Sequence, residues 1–513
     1  MNGRVYIAIL LVILVQARQA SGQSDSLVRY SDLKFHSAFE KQSFQDFVHG
    51  VSGPFNLYLA INEDMTGDEA EKLYETYQSV FSTLQQKKVE RKKEARKVKL
   101  TYGIVHNQFL DKYVASSYFP AAFNNGTYNC VTASMIYAMV FDELQIPYRV
   151  MASTSHVYLV ANPGINSIVI ETTNPSFADQ LFTGEYKRNY INHLRASKMI
   201  SEQELKNKSV DELFEANFNE VHEVQPGELP GIQYYNRGYQ KFEEDAIQEA
   251  YELFKKAWFF FPDKQVDYLL SVSLLMLIES SEFNELEDID MIAQFSKFKN
   301  SDIQIISGIF QNIVNHHQQF NDRGAFCDSM YHRLISKLQD TVLIEEISFR
   351  YNLLMAFHSQ GSDDGEKYMI EAIKLRTNHR DLNTLVQIHF ETRLNRLRDP
   401  GMLLEEVSRI REVASFGILE ELLSMYELYG TMASVKPLVD NKKIREAEAL
   451  IEKFEQNWQV LPTHYNVEHA IAEAYRSLAV YYFYRGNKTR ARSIVERGLQ
   501  YVPGNKFLKS AVY

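Results

Sequence analysis

The chain is poor in cysteine: Cys130 and Cys327 are its only two thiols in 513 residues. That excludes a disulfide framework. A single bridge between them is formally open in an exported protein, but the two sit in regions of different character. Long apolar runs are also missing. Beyond the N-terminus no segment reaches the ~18 apolar residues that a membrane-spanning helix needs. Excess positive charge is absent as well. Lys and Arg number 55 against 66 Asp and Glu, for a net charge of −11, which gives nucleic-acid binding no support. The histidines lack the spacing to carboxylates or cysteines that a metal site needs. His316-His317 and the pair His464 and His469 read as surface residues. No phosphate-binding glycine loop occurs. Neither a metal nor a cofactor is expected.

What is present points to an exported, multidomain chain. The length is too great for one ordinary core and suggests two to four domains. Hydrophobic residues make up 45% and charged residues 24%, as in a folded soluble protein. The 31 Tyr and 32 Phe suit helical repeats that stack rings between neighbours. Arg4, the apolar run Val5 to Val15 and the small residues Ala20-Ser21-Gly22 read as a secretory signal over residues 1–22. The mature chain is then secreted or periplasmic, with no stable membrane insertion. A retained anchor is the alternative. No cysteine follows the apolar run, so a lipid-modified N-terminus is not expected.

Asp68 to Lys99 reads as a charged helix. Its stretch Lys87 to Lys99, with eight basic residues and two Glu, reads as a solvated face, because no aromatics interleave it. A second helix is expected over Tyr102 to Tyr118. Asn124-Asn125-Gly126 is a turn signal. Met135, Ile136, Met139, Val140 and Leu144 form an apolar face at helical period, on a helix that Pro147 ends. Tyr148 to Ala152, His156 to Val160 and Ser167 to Thr172 read as strands. Onward to about residue 220 the chain is polar and helical, with no site-like cluster. Pro226 and Pro230 mark a linker.

Within this frame Cys130 opens a helix, with Asn129 as its cap. The free amides and dipole of a helix N-terminus stabilise a thiolate and lower its pKa. His156 and Glu171 follow on strands joined by the turn Ala161 to Asn166. A hairpin centred between Pro163 and Gly164 pairs His156 with Glu171 directly, at about 5 Å between Cβ atoms. That is the contact of a base with the group that orients it. Cys130, His156 and Glu171 are therefore the candidate catalytic residues, provided the helix packs across the hairpin.

The stretches Gly126 to Ser134, Ile146 to Tyr148, Ser155 to Val160 and Ile170 to Pro175 resemble the transglutaminase-like superfamily of papain-related folds. The resemblance covers 100 to 150 residues of the chain. It implies an α+β papain/transglutaminase-like domain over residues 24–225, its cysteine helix packed on an antiparallel sheet. It also implies Cys130 as nucleophile, His156 as general base and acid, and Glu171 as the orienting group. Glu171 stands where the family usually carries Asp. Asn124 lies six residues before the cysteine, where papain-like enzymes carry a glutamine, and is a candidate oxyanion donor beside the Cys130 amide. Many members of this superfamily are non-catalytic.

From about residue 230 strand signals fade. Tyr475, Leu478, Ala479, Tyr482, Ala491, Val495, Gly498 and Pro503 resemble the eight signature positions of a tetratricopeptide repeat, in register. Tyr234, Gly238, Ala250, Phe254, Ala257 and Pro262 resemble a second copy. Ala447 to Phe454 and the helix around Ala372 read as worn copies. The resemblance implies an all-α tetratricopeptide-type superhelix over residues 226–513, with a protein or peptide partner. Two functions follow. One is an exported cysteine-dependent hydrolase or acyltransferase acting on a peptide or amide bond. The other is a non-catalytic scaffold of the same fold.

Overall fold

The computed structural model describes residues 27–153, 156–163, 167–170, 188, 191, 200, 202–218, 222–298, 301–321, 323–377, 379–413, 417–458 and 465–512. The expected signal over 1–22, Glu171, the Asn174-Pro175 turn and His464 lie outside these residues. The protein is mostly helical, with a small four-stranded antiparallel sheet in its N-terminal part and many helices after it. No helix among the described residues is long and apolar enough to cross a membrane. Two compact units divide between Asp302 and Ile303.

The first unit is built around the helix Cys130–Glu143. Every side chain from Val131 to Phe141 is buried, so this helix is enclosed all round and has no single apolar face. Asn129 caps it: its Oδ1 accepts from the Thr132 amide at 2.9 Å, and the Thr132 hydroxyl accepts from the Asn129 amide at 2.8 Å. Such a cap contributes about 1 kcal/mol. The helix stops at Glu143, before Pro147. Gln145 turns left-handed at φ 53°, and the Ile146 amide returns to the Phe141 carbonyl at 2.9 Å. That closing turn satisfies the last carbonyls without needing the proline.

Short strands β1 (Lys112–Tyr113) and β2 (Thr127–Tyr128) pair in parallel. The main sheet holds β3 (Tyr148–Ala152), β4 (Val157–Ala161), β5 (Ile168–Ile170) and β6 (His222–Val224), in the order β5-β4-β3-β6. Val150, Ala152, Val157, Leu159, Ala161 and Val224 are buried and share the core with the Cys130 helix. The Ser134 hydroxyl fastens that helix to β4 by donating to the Val157 carbonyl at 3.2 Å. On the other face Arg149 pairs with Glu223 at 3.5 Å. The hairpin register differs from the one expected. Leu159 faces Ile170, Val160 faces Val169 and Ala161 faces Ile168, so each residue meets a partner two positions further along. A two-residue shift preserves which face a side chain points to but changes its opposite number.

Helix boundaries before the site also differ. Gly67–Gln86 ends where Lys88 turns left-handed at φ 49°. The next long helix is Glu94–Phe109 rather than Tyr102 to Tyr118. Tyr113 lies in β1, because the chain must turn back to pair with β2. Gly126, at φ 73°, approaches Asp111 too closely for a side chain, which fixes that return. Within the basic stretch Lys97 is buried, and its ammonium donates to the Leu144 carbonyl at 2.7 Å. One lysine of the run is thus a structural tie at the end of the Cys130 helix, and the solvated-face reading does not hold for it.

The prolines expected to mark a linker do not separate anything. Pro226 opens a 3-10 turn that runs directly into the helix Leu229–Glu243, since a helix start needs no amide from proline. Leu229 and Ile232 belong to the same core as the Cys130 helix. Gln233 is buried and stitches the two together, accepting from the Phe119 amide and donating to the Tyr58 carbonyl. Ile247–Phe260 packs antiparallel against Leu229–Glu243, with Gly238 seated on the Phe254 ring, 2.7 Å from where a Cβ would stand. Glu40, fully buried, accepts from Lys256 at 2.7 Å, Tyr234 at 2.9 Å and the His36 amide at 2.8 Å.

The second unit is all helical among its described residues. Its C-terminal pair is Tyr465–Tyr484 and Lys488–Tyr501. Gly498 leaves only 2.7 Å between a would-be Cβ and the Tyr475 ring. Tyr475, Ala479 and Ala491 are fully buried at that crossing, as are Ala447 and Ala372 in their own helices. His317 is buried beside the Phe326 ring at 5.4 Å, contrary to the surface reading, whereas His316 and His469 are exposed as expected. A polar knot centres on buried Glu366, whose two oxygens take both arms of Arg409 at 2.7 and 3.0 Å.

Candidate functional site

Cys130 opens its helix at the rim of a cavity of about 200 Å³ that lies within the first unit. Its neighbours follow from the elements just described. Asn129 and Val131 flank the cysteine, Tyr113 comes from β1, and Ala152, Ser153 and His156 come from the β3–β4 turn. The helix Leu229–Glu243 supplies a further wall through Ile232, Tyr235, Tyr239 and Glu243, continued by Phe261 and Asp263. The lining is therefore shared between the sheet-bearing layer and the helix Leu229–Glu243.

The cysteine thiol is half-buried and free of disulfide. Its place at a capped helix N-terminus favours negative charge there by about 0.3–1 kcal/mol. Burial, and then the neighbouring Cys130 thiol and Tyr128, push the Tyr113 hydroxyl up to about 12. Tyr113 thus stays a neutral donor over any ordinary pH. Burial likewise raises Tyr118, although the Arg237 guanidinium opposes it. Arg237 stacks over the Tyr118 ring at 5.2 Å.

His156 lies one residue before β4 and reaches the same cavity as Cys130. Its ring stacks on that of Tyr158, 5.6 Å between centroids. Its carbonyl accepts from the Ser153 amide at 2.8 Å, which closes the turn. The structure thus brings Cys130 and His156 to one space. Glu171 lies outside the described residues. Asn124 ends the short helix Phe119–Asn124, is exposed and does not line the cavity. Asn129 does line it, but its amide is committed, donating to the Ala115 and Ser117 carbonyls at 3.1 and 2.8 Å.

No family model, curated protein or solved structure matches this chain. The site therefore stands on its own geometry. Among the described residues no group of three or more His, Cys, Asp and Glu is placed to hold a metal ion.

The sequence reading missed His222 and the tyrosines of the helix pair. His222 sits on β6 and lines the cavity, its ring parallel to that of Phe261 at 6.2 Å. The alternation of His222, Glu223 and Val224 is a strand signal three residues long, too short to stand out ahead of Pro226. Tyr235 and Tyr239 are spaced as one helix face, but which space that face borders depends on a contact more than a hundred residues away in sequence.

Proposed function

We propose that the first unit is a transglutaminase-like, papain-related domain and that the protein is an exported cysteine-dependent hydrolase or acyltransferase acting on a peptide or amide bond. The observation that carries this reading is the convergence of Cys130, at a capped helix N-terminus, and His156 on one cavity. In this scheme the Cys130 proton passes to an imidazole and the sulfur attacks the carbonyl carbon. The C–N bond then breaks, and the imidazolium returns its proton to the leaving amine. Water or a second amine opens the thioester, which restores the thiol and releases acid or new amide. Glu171 is the proposed orienting group. The helices beyond residue 226 are tetratricopeptide-type repeats that hold a protein or peptide partner.

The test is Cys130→Ala against a library of peptide and cell-wall amides. Loss of turnover in a folded variant is expected; equal turnover in mutant and wild type ends the reading.

A second reading, the non-catalytic scaffold, is favoured by two observations: the hairpin register displaced by two residues and the position of Asn124 away from the cavity. Thiol reactivity separates the two. A Cys130 that alkylates no faster than a model thiol between pH 5 and 8 supports the scaffold.

A further inference from the structure

Two imidazoles, not one, border the Cys130 cavity, and they reach it from opposite faces of the sheet. The register makes this explicit. Val150 pairs with Val224, Met151 with Glu223 and Ala152 with His222. Directly paired residues share a face, and successive residues alternate. Val150, Ala152 and Val224 are buried in the core that holds the Cys130 helix, so His222 stands on that inner face, at its open end. Ala152 faces Val157 on its other side. His156, one residue before Val157, falls on the alternation of Tyr158, whose ring it stacks upon. That is the face carrying the Arg149–Glu223 pair.

We propose that His222 is a second acid–base group of the Cys130 site, exchanging protons with the thiol from the inner face of the sheet. This rests on the cysteine-dependent reading above. The His222 ring lies parallel to that of Phe261, with centroids 6.2 Å and planes 5° apart, and the residue lines the cavity with Cys130. In the reaction the thiol proton moves to the neutral imidazole as the sulfur attacks, and the imidazolium returns it to the leaving nitrogen. Water or a second amine then opens the thioester, as in the scheme above, and restores the thiol. The other titratable groups facing this space are His156 from the β3–β4 turn and Tyr113 and Tyr118 from the segments around β1. The helix Leu229–Glu243 adds Tyr235, Tyr239 and Glu243, and the segment after its partner helix adds Asp263. Asp263 is engaged in capping, its carboxylate accepting from the Gln265 amide at 2.9 Å.

The experiment is the pH profile of Cys130 alkylation by iodoacetamide, followed by mass spectrometry in the full chain, for wild type, His222→Asn and His156→Asn. His222 is exposed, so the substitution leaves the core untouched. The expected result is an enhanced wild-type rate at pH 6 to 7 that falls about tenfold or more in His222→Asn and persists in part in His156→Asn. A His222→Asn profile that overlays an enhanced wild type overturns this proposal and leaves the cysteine reading standing. A wild type that reacts like a model thiol overturns both. A second measurement guards against a damaged variant: in the intact wild type, alkylating Cys130 is expected to shift the His222 ring titration in the NMR spectrum. An unmoved titration overturns the assignment.

Discussion

In the first unit the helix Leu229–Glu243, paired with Ile247–Phe260, borders a cavity that residues of the sheet also line. In the second unit the pair Tyr465–Tyr484 and Lys488–Tyr501 closes on other helices. Both use one packing device, a glycine that lets an aromatic ring lie against the neighbouring helix backbone. Each unit also buries glutamate, Glu40 in the first and Glu346 and Glu366 in the second. Glu40 is held by Lys256 and Tyr234, and Glu366 by Arg409 and Arg393. The difference lies in what borders the pair. The second pair packs into a helical core, whereas the first helix of the first pair borders a space lined with polar groups.

The largest expected effect comes from breaking the buried ion pairs. Glu40→Ala leaves the Lys256 ammonium buried without its carboxylate, and a loss of about 3–5 kcal/mol in the first unit is expected. Urea unfolding followed by signals from each unit checks it; a loss below about 1 kcal/mol places the pair with exposed salt bridges. The two glutamates also predict acid behaviour. Burial alone would raise Glu40, but the hydrogen bond from His36 and the Lys256 cation outweigh it and lower it. For Glu366, burial is outweighed by His389 and the Arg409 and Arg393 guanidiniums, which hold it at about 2. A lowered folded value means stability that is present above the unfolded value of about 4.3 and lost as pH falls through the folded one. The contribution of Glu366 is therefore expected to fade between about pH 4 and pH 2. A Glu366→Gln variant whose acid transition matches that of wild type contradicts this.

Next in size is the contrast between the two thiols. Burial pushes Cys327 up to about 11, which leaves its thiolate roughly a hundredfold scarcer than an unperturbed thiol near neutral pH. Cys130 opens on a cavity instead. Native-state alkylation resolved by peptide mass is expected to label Cys130 first by at least tenfold; equal rates erase the distinction between the units.

The smallest effect is steric. Gly238→Ala and Gly498→Ala each force a Cβ to within 2.7 Å of a ring atom, in Phe254 and Tyr475 respectively. A loss of about 1–3 kcal/mol each is expected. Thermal unfolding measures it, and the comparison sharpens if Gly238→Ala also slows alkylation of Cys130 while Gly498→Ala leaves it unchanged.

Much of this organisation is legible in the residues. Asn129 announces the cap, β3 spans Tyr148–Ala152 as its pattern indicates, and the spacing from Tyr475 to Gly498 marks a helix pair with a close crossing. These are local properties: a cap, an alternation and a small residue opposite a large one are decided within one or two turns of chain. Pro147 misled because the Gln145 turn had already ended the helix. Lys97 misled because its partner, the Leu144 carbonyl, is distant in sequence.

The sequence by itself therefore determined the Cys130 helix with its cap, strand β3 and the nucleophile candidate. Only the tertiary structure decided the hairpin register, the meeting of Cys130 with His156 and His222 on one cavity, and the use of the helix Leu229–Glu243 as a wall of that cavity. The reason is physical. Register depends on how a turn closes and on which side chains the opposing layer accepts. A cavity depends on surfaces from β1, the sheet and two helices, whose complementarity no single segment encodes.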